Sequence, residues 1–338
     1  MADKKHDFHY GGQAVIEGVM MRGPKDFAVA VRRANGEIVS TVENVESKFA
    51  KLAWLKKPFL RGTLALIDAM ALGIKALKYA TDIAMADISA SEAGKTTNEA
   101  GAVDAGAPTK PAKGVNDIAV GAIMVLGLLG GLAIFFLVPI VFTKLLKPHM
   151  HTELARNAVE MVIKLGIFVG YVAAISLLKD IQRVFMYHGA EHKTINAYEA
   201  GEELTVENVR RYSKVHVRCG TSFILVVLMV GMVVNMLVVS QLPYGSLTDG
   251  SILARWLYKL ALLPAIAGIA YEIIRMAGNC KDSILTKLVL LPGLLMQKLT
   301  TREPDDAMIE VAITSLKGVF DKEAADSVVS EMPSAESA

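Results

Sequence analysis

The chain has 338 residues, 36 Lys and Arg against 34 Asp and Glu, 53% hydrophobic residues and a mean hydropathy of +0.40. So apolar a composition excludes an ordinary soluble globular protein, and a net charge of +2 offers no electrostatic ground for binding nucleic acid. Two cysteines, Cys219 and Cys280, cannot build a disulfide framework, so reduced thiols facing the cytoplasm are expected.

The N-terminal residues carry no apolar core and no cleavage site, so no secretory signal is expected. Residues 1–88 are expected to form a cytoplasmic unit of β-hairpin and amphipathic helices. Within 8–45, Ala28–Arg33 and Glu37–Val42 flank Asn35-Gly36, a strong short hairpin signal. Before them, Gly11–Pro24 reads as one strand bracketed by glycines. Residues 47–88 read as amphipathic helix broken near Pro58, with Trp54, Leu64, Leu72 and Leu77 on apolar faces and Lys56, Arg61, Lys75 and Lys78 on basic ones. Such a helix suits an anionic membrane surface or its own domain equally. Residues 89–114 are rich in Ala, Gly, Thr and Pro and are expected to be a disordered linker.

Four apolar stretches follow, at about 118–142, 159–178, 220–242 and 252–274, each long enough for a hydrocarbon core of roughly 30 Å. Lys and Arg number 16 before the first, 3 between the first and second, 7 between the second and third, none in 243–251 and 7 after the fourth. This alternation predicts a multi-pass protein of the cell (inner) membrane with both termini cytoplasmic. Ile284–Gln297 is short and interrupted by Pro292-Gly293, which predicts an interfacial or re-entrant segment. A closing amphipathic helix is expected over about 303–322, starting near Pro304 with Met308, Ile309, Ala312 and Leu316 on one side, and a disordered tail over 323–338. The fold class is therefore mainly α: a polytopic membrane protein with about four transmembrane helices, residues 115–302, plus the small N-terminal unit.

The chemistry concentrates in the loop 179–219. His188-Gly189-Ala190-Glu191-His192 reads His-x-x-Glu-His, the inverted zincin pattern. Four residues apart on a helix, His188 and His192 aim two imidazoles at one point, a common zinc-binding pair. Glu191 beside them is a candidate general base. His216 and Cys219 are candidate further ligands, because Thr205 can cap a helix running to about Lys214 and return them towards the first helix. If both bind a divalent metal such as zinc, the site is closed and structural; if only one binds, a position stays open and Glu191 can activate water. Glu199 lies seven residues beyond His192, roughly 10 Å along a helix axis, too far to share the metal unless the helix breaks. Glu17, among Gly11, Gly12, Gly18 and Gly23, is a further polar candidate, with tight packing and bends as its plain reading. Glu272, at the end of a span, is another, with Arg275 as its local partner. There is no dinucleotide fingerprint, P-loop or Gly-x-Ser-x-Gly elbow.

Gly11–Pro24, Tyr187–Glu199, Arg218-Cys-Gly-Thr-Ser-Phe223 and Leu299-Thr-Thr-Arg-Glu-Pro-Asp-Asp306 together resemble the YqhQ-like family, bacterial membrane proteins of unknown function described as predicted metal-dependent enzymes. The resemblance covers nearly the whole chain outside 89–114. Val217 stands where that family usually carries Pro. The resemblance implies a metal-dependent membrane enzyme, read here as a hydrolase at the cytoplasmic leaflet. The other class of function is a non-catalytic scaffold whose 179–219 loop is held by a structural metal. The expected partner is the lipid bilayer, with room for a homo-oligomer; no nucleic acid is expected.

Overall fold

The computed structural model describes residues 10–45, 60–99, 117–150, 152–239, 252–279 and 284–331. They form four strands and nine α-helices, a mainly helical protein with a small N-terminal antiparallel sheet. The strands are β1 (Gly11–Val15), β2 (Gly18–Arg22), β3 (Asp26–Arg32) and β4 (Ile38–Asn44). The helices are α1 (Leu60–Glu99), α2 (Asp117–Leu146), α3 (Glu153–Ile175), α4 (Lys179–Glu199), α5 (Val206–Arg210), α6 (Gly220–Val239), α7 (Ile252–Asn279), α8 (Ile284–Thr300) and α9 (Asp306–Glu331). Contacts divide the chain into two units. One takes in the described residues of 1–90, 172–226 and 267–338, the other those of 91–171 and 227–266.

In the first unit the four strands form a meander in the order β1-β2-β3-β4. Asn35-Gly36 turns β3 into β4 as expected, with Asn35 Oδ1 accepting the Glu37 N–H at 3.0 Å. Gly11–Pro24, however, is a hairpin and not one strand. Val15 pairs with Gly18, and Ile16-Glu17 makes the two-residue turn. The sheet is buried on both faces, which the alternation of its side chains explains. Val19, Met21, Ala28 and Ala30 pack on α9 (Met308, Ile309, Ala312, Leu316) and α4 (Tyr187, Ala190). Met20, Phe27, Val29 and Val31 pack on Leu72, Ala76 and Ala80 of α1. This face of α1 thus covers its own domain's sheet.

Several boundaries differ from expectation. The helix α1 continues to Glu99, through the start of the stretch expected to be a linker; extending an existing helix costs far less than nucleating one. The rest of that stretch, and Pro58 and Trp54, lie outside the described residues. Helix α9 runs to Glu331, past the expected onset of a disordered tail. The Lys322–Asp326 pair at 3.1 Å and the Tyr10–Glu323 hydrogen bond at 2.8 Å support that extension. Helix α8 is continuous through Pro292-Gly293, because its C-terminal half is anchored by buried Met296, Gln297 and Thr300. Glu272 pairs with Arg61, distant in sequence, at 2.6 Å from both Nε and Nη2.

In the second unit, Phe135 of α2 and Phe168 of α3 meet edge to face at 6.1 Å between centroids. Two helices among the described residues are long and apolar enough to cross a membrane, over Leu129–Leu146 and Ala158–Ile175, and Gly220–Val234 is a shorter apolar run.

The sheet–α9 interface makes a stability prediction. Leu316 is fully buried against the sheet, so Leu316→Ala should cost about 2–5 kcal/mol. Leu77→Ala, on an exposed side of α1, should change stability by less than about 0.5 kcal/mol. Thermal unfolding midpoints of the two full-length variants check this; similar losses in both would show that the interface is not the core described.

Candidate functional site

Helix α4 carries the site, and each of its sides has a distinct task. On one side Arg183, Tyr187 and Glu191, each a turn apart, face the β1–β2 hairpin. Arg183 grips Glu17 with two hydrogen bonds of 2.5 Å, and the Tyr187 hydroxyl reaches the same carboxylate at 3.3 Å. Glu17 stands at φ 51°, a left-handed conformation uncommon outside glycine, and its carbonyl accepts the Arg32 N–H at 2.8 Å. Glu17 therefore clamps the hairpin tip to α4 and lies in that clamp, with no place among the ligand atoms described below. One turn further on, Glu191 is buried under β1. A Cβ added to Gly12 would lie 2.9 Å from Glu191 Cγ, so only glycine admits the carboxyl at that position. The Gly12 N–H donates to this carboxyl group, while its Oε2 is buried and makes no hydrogen bond. Burial pushes the Glu191 carboxyl above the usual range, opposed by the nearby His188 and His216 rings.

On its other side α4 holds the returning chain by backbone carbonyls. Lys193 is buried; its Nζ donates to Arg210 O at 2.9 Å and Tyr212 O at 2.8 Å and pairs with Glu303 at 2.7 Å. Asn196 Nδ2 donates to Ser213 O at 2.8 Å and Val215 O at 3.1 Å. His192 Nδ1 lies 2.7 Å from Lys214 O. Thr205 caps α5 as expected, accepting the Asn208 N–H, but α5 stops at Arg210 and not near Lys214. Lys193 and Asn196 capture the carbonyls that a longer helix would use, and the chain stays irregular to Cys219. Gln297 of α8 completes the hold, accepting the His216 N–H at 2.9 Å and donating to His216 O at 2.8 Å and Ser222 Oγ at 2.9 Å.

These contacts bring His188, His192 and Cys219 together, with one ligand atom of each within 4.8 Å of the others. A carbonyl only accepts, so His188 Nδ1 donates to Thr300 O at 2.8 Å and His192 Nδ1 donates to Lys214 O. Both Nε2 atoms are then lone-pair donors turned towards Cys219. This is the second-shell arrangement that orients metal-binding histidines. His188 Nε2 stands 3.3 Å from Cys219 Sγ, and Thr221 Oγ1 stands 3.0 Å from the same sulfur. His192 Nε2 is buried and makes no hydrogen bond. Burial pushes the His192 ring below its ordinary value and keeps it neutral. Tetrahedral zinc sets its ligand atoms about 3.3–3.6 Å apart, a spacing the His188–Cys219 pair already has. Two imidazoles and a thiol are a zinc-type donor set, so the residues present fit a divalent ion.

His216 lies alongside, its ring centroid 5.7 Å from that of His192. Its Nδ1 accepts the Arg218 N–H at 3.4 Å and its Nε2 stands 3.6 Å from Glu199. Glu199, at the end of the unbroken α4, also pairs with Arg218. Glu199 is thus part of an ion network at the surface beside the histidines, outside the group of three ligand atoms.

Sequence reasoning did not single out Gly189, Lys193, Asn196, Gln297 or Thr300, and it named Gly12 only as one of the glycines around Glu17. Gly189 was visible only as a letter inside the motif. A Cβ there would lie 2.1 Å from Arg302 O, so the glycine lets the 300–304 segment cross α4 at contact distance. That crossing delivers Thr300 O to His188.

The chain belongs to the family described as "Protein of unknown function (DUF1385)", whose model matches residues 57–322. It is similar to the "Uncharacterized protein YqhQ" of Bacillus subtilis (strain 168), 37% identical over 317 residues that cover 93% of each chain. No solved structure matches it.

The crossing at Gly189 predicts that Gly189→Ala displaces the 300–304 segment and lowers stability by about 1–3 kcal/mol through overpacking. Gly166→Ala on α3, where nothing lies within 4 Å of the added Cβ, should be tolerated. Thermal unfolding of both variants checks this; a neutral Gly189→Ala would mean that the segment yields freely.

Proposed function

We infer that the protein is a metal-dependent integral membrane enzyme, a hydrolase working at the cytoplasmic face, with His188, His192 and Cys219 holding a divalent ion such as zinc. One observation carries this reading: the two Nε2 atoms and Sγ converge while both Nδ1–H groups are pinned to backbone carbonyls. Three protein ligands leave a coordination position open, which favours catalysis over a structural site. His216, turned towards Glu199, would make the site closed and structural if it swung in as a fourth ligand. The chemistry such an ion supplies is polarisation of the scissile bond and activation of water. Glu191 would take the proton of the attacking water, since its buried Oε2 has no other hydrogen-bond partner. Arg218 and Glu199 would fix the turn that presents Cys219, and the Gly12 N–H would hold the Glu191 carboxyl in place.

The membrane part of the reading rests on the apolar runs of α2 and α3, of which only 19% and 11% is buried, unlike core helices of a soluble protein. Glu160 inside the α3 run is neutralised by Lys164 at 2.9 Å, as a charge at membrane depth requires. With α6 and α7 as further spans, four crossings would place both termini and the 179–219 loop in the cytoplasm.

Elemental analysis of the purified protein tests the ion. Near-stoichiometric metal is expected in wild type and in Glu191→Gln, with most of it lost in His188→Ala, His192→Ala and Cys219→Ala. Cobalt loading should give a thiolate charge-transfer band that Cys219→Ala abolishes. Equal metal content in wild type and in His188→Ala/His192→Ala would sink the proposal.

Orientation has its own test. A cysteine at exposed Ser213, in a background without the native cysteines, should resist an impermeant thiol reagent in intact cells and react after permeabilisation. Labelling in intact cells would reverse the topology.

A further inference from the structure

A hollow of about 410 Å³ opens behind the segments that hold the histidines. Its walls include Lys214, Lys298 and Arg302, and Ser176 at its edge directly follows the apolar run of α3. The charge around it is unbalanced. Glu303 is the carboxylate in the wall, and it already faces two ammonium groups, Lys193 at 2.7 Å and Lys214 at 3.9 Å. Arg302 donates from Nη2 to Ser176 O at 3.0 Å, a neutral acceptor that leaves its charge uncompensated. Lys298 is exposed and makes no ion pair among the described residues. Three cations and one carboxylate therefore line an opening of small-ligand size, and that carboxylate is already shared with the buried Lys193. Leu299 and Met186 add an apolar strip to the same wall.

We propose that this hollow binds a phosphate-type anion, supplied as a lipid headgroup or as free phosphate. Lysine and arginine together match a dianion, Lys as point charges and Arg as a planar fork. The apolar strip suits the glycerol and first acyl carbons of a lipid. On the membrane reading given above, the end of α3 puts the hollow at the boundary of hydrocarbon and water, where lipid phosphates lie. The site is separate from the ion-binding cluster but shares its supports: Lys214 offers its side chain to the hollow and its carbonyl to His192, and Thr301 in the wall follows Thr300, whose carbonyl holds His188.

Isothermal titration of the full-length protein in neutral detergent tests this with three probes: inorganic phosphate, a short-chain phosphatidic acid, and the matching diacylglycerol. Saturable binding of phosphatidic acid or phosphate, with none of diacylglycerol, is expected. Phosphatidic acid alone binding identifies a headgroup site; phosphate binding equally well identifies a free-anion site. Lys298→Gln should weaken the affinity about 3–10-fold and Lys214→Gln/Lys298→Gln further, since each removes one partly exposed charge. Both variants should keep the wild-type unfolding midpoint and metal content, which separates this site from the ion. Absence of binding by both anions, equal binding of diacylglycerol, or affinities unchanged in the double variant would overturn the proposal.

Discussion

The structure turns on a need of buried donors. Helix α4 buries His192 and Lys193 and half-buries His188 and Asn196, and a buried donor left without an acceptor costs about 1–3 kcal/mol. A helix cannot satisfy those side chains from its own backbone, whose carbonyls are used along the helix. The acceptors must come from irregular chain, and two segments supply them: 210–215 and the end of α8 with Thr300. The chain is irregular where α4 needs its carbonyls. Cys219 reaches His188 as a consequence of that hold.

The same bonds set the chemistry. A histidine whose Nδ1–H is committed to a carbonyl has only one lone pair to offer, on Nε2, and cannot change tautomer without losing that bond. Two such rings one turn apart present their lone pairs on the same side of the helix. Burial keeps His192 neutral, the form that ligates. The cations of the neighbourhood are placed elsewhere: Lys193 is spent on carbonyls and Glu303, and Arg218 on Glu199. Among the described residues, no ammonium or guanidinium is paired with the two imidazoles or the thiol.

Much of this was legible in the sequence, and the limits have physical causes. Period 3.6 in α9 and the Asn35-Gly36 hairpin are local signals, and both appear in the structure. The i, i+4 histidines and the nearby Cys219 pointed to the cluster because helix geometry alone brings the first two together. The turn at Ile16-Glu17 was missed because the left-handed position is held by a glutamate, φ 51°, and not by the Gly, Asn or Asp that signals such a turn. The extent of α5 was missed because its carbonyls are taken by Lys193, a residue far away in sequence. Pro292 read as a breaker because its ring removes one helical hydrogen bond, whereas packing by Met296, Gln297 and Thr300 holds the rest of α8. Gln297 and Thr300 were invisible because one acts through its side-chain amide on the His216 backbone and the other through its own backbone carbonyl on the His188 ring, contacts that carry no motif. The glycines around Glu17, Gly12 among them, read as places of close approach, but the partner Glu191 could not be read locally, and Gly189 gave no sign that the 300–304 segment crosses there.

The small sheet belongs to the site as much as α4 does. Glu191 is buried because β1 covers it, and it is covered that closely because residue 12 has no side chain. The hairpin bearing Gly12 is held to α4 at its tip by Glu17 with Arg183 and Tyr187, two turns and one turn before Glu191. The far face of the sheet is closed by α1, and α9 fills the space beside α4. A carboxyl left under water would be an ordinary acid. Under β1 it is desolvated, raised in basicity and aimed by one backbone N–H beside two imidazoles. The antiparallel sheet at the start of the chain therefore does for Glu191 what the irregular segments near 214 and 300 do for the histidines. It fixes one polar side chain through the backbone and keeps the water around it scarce.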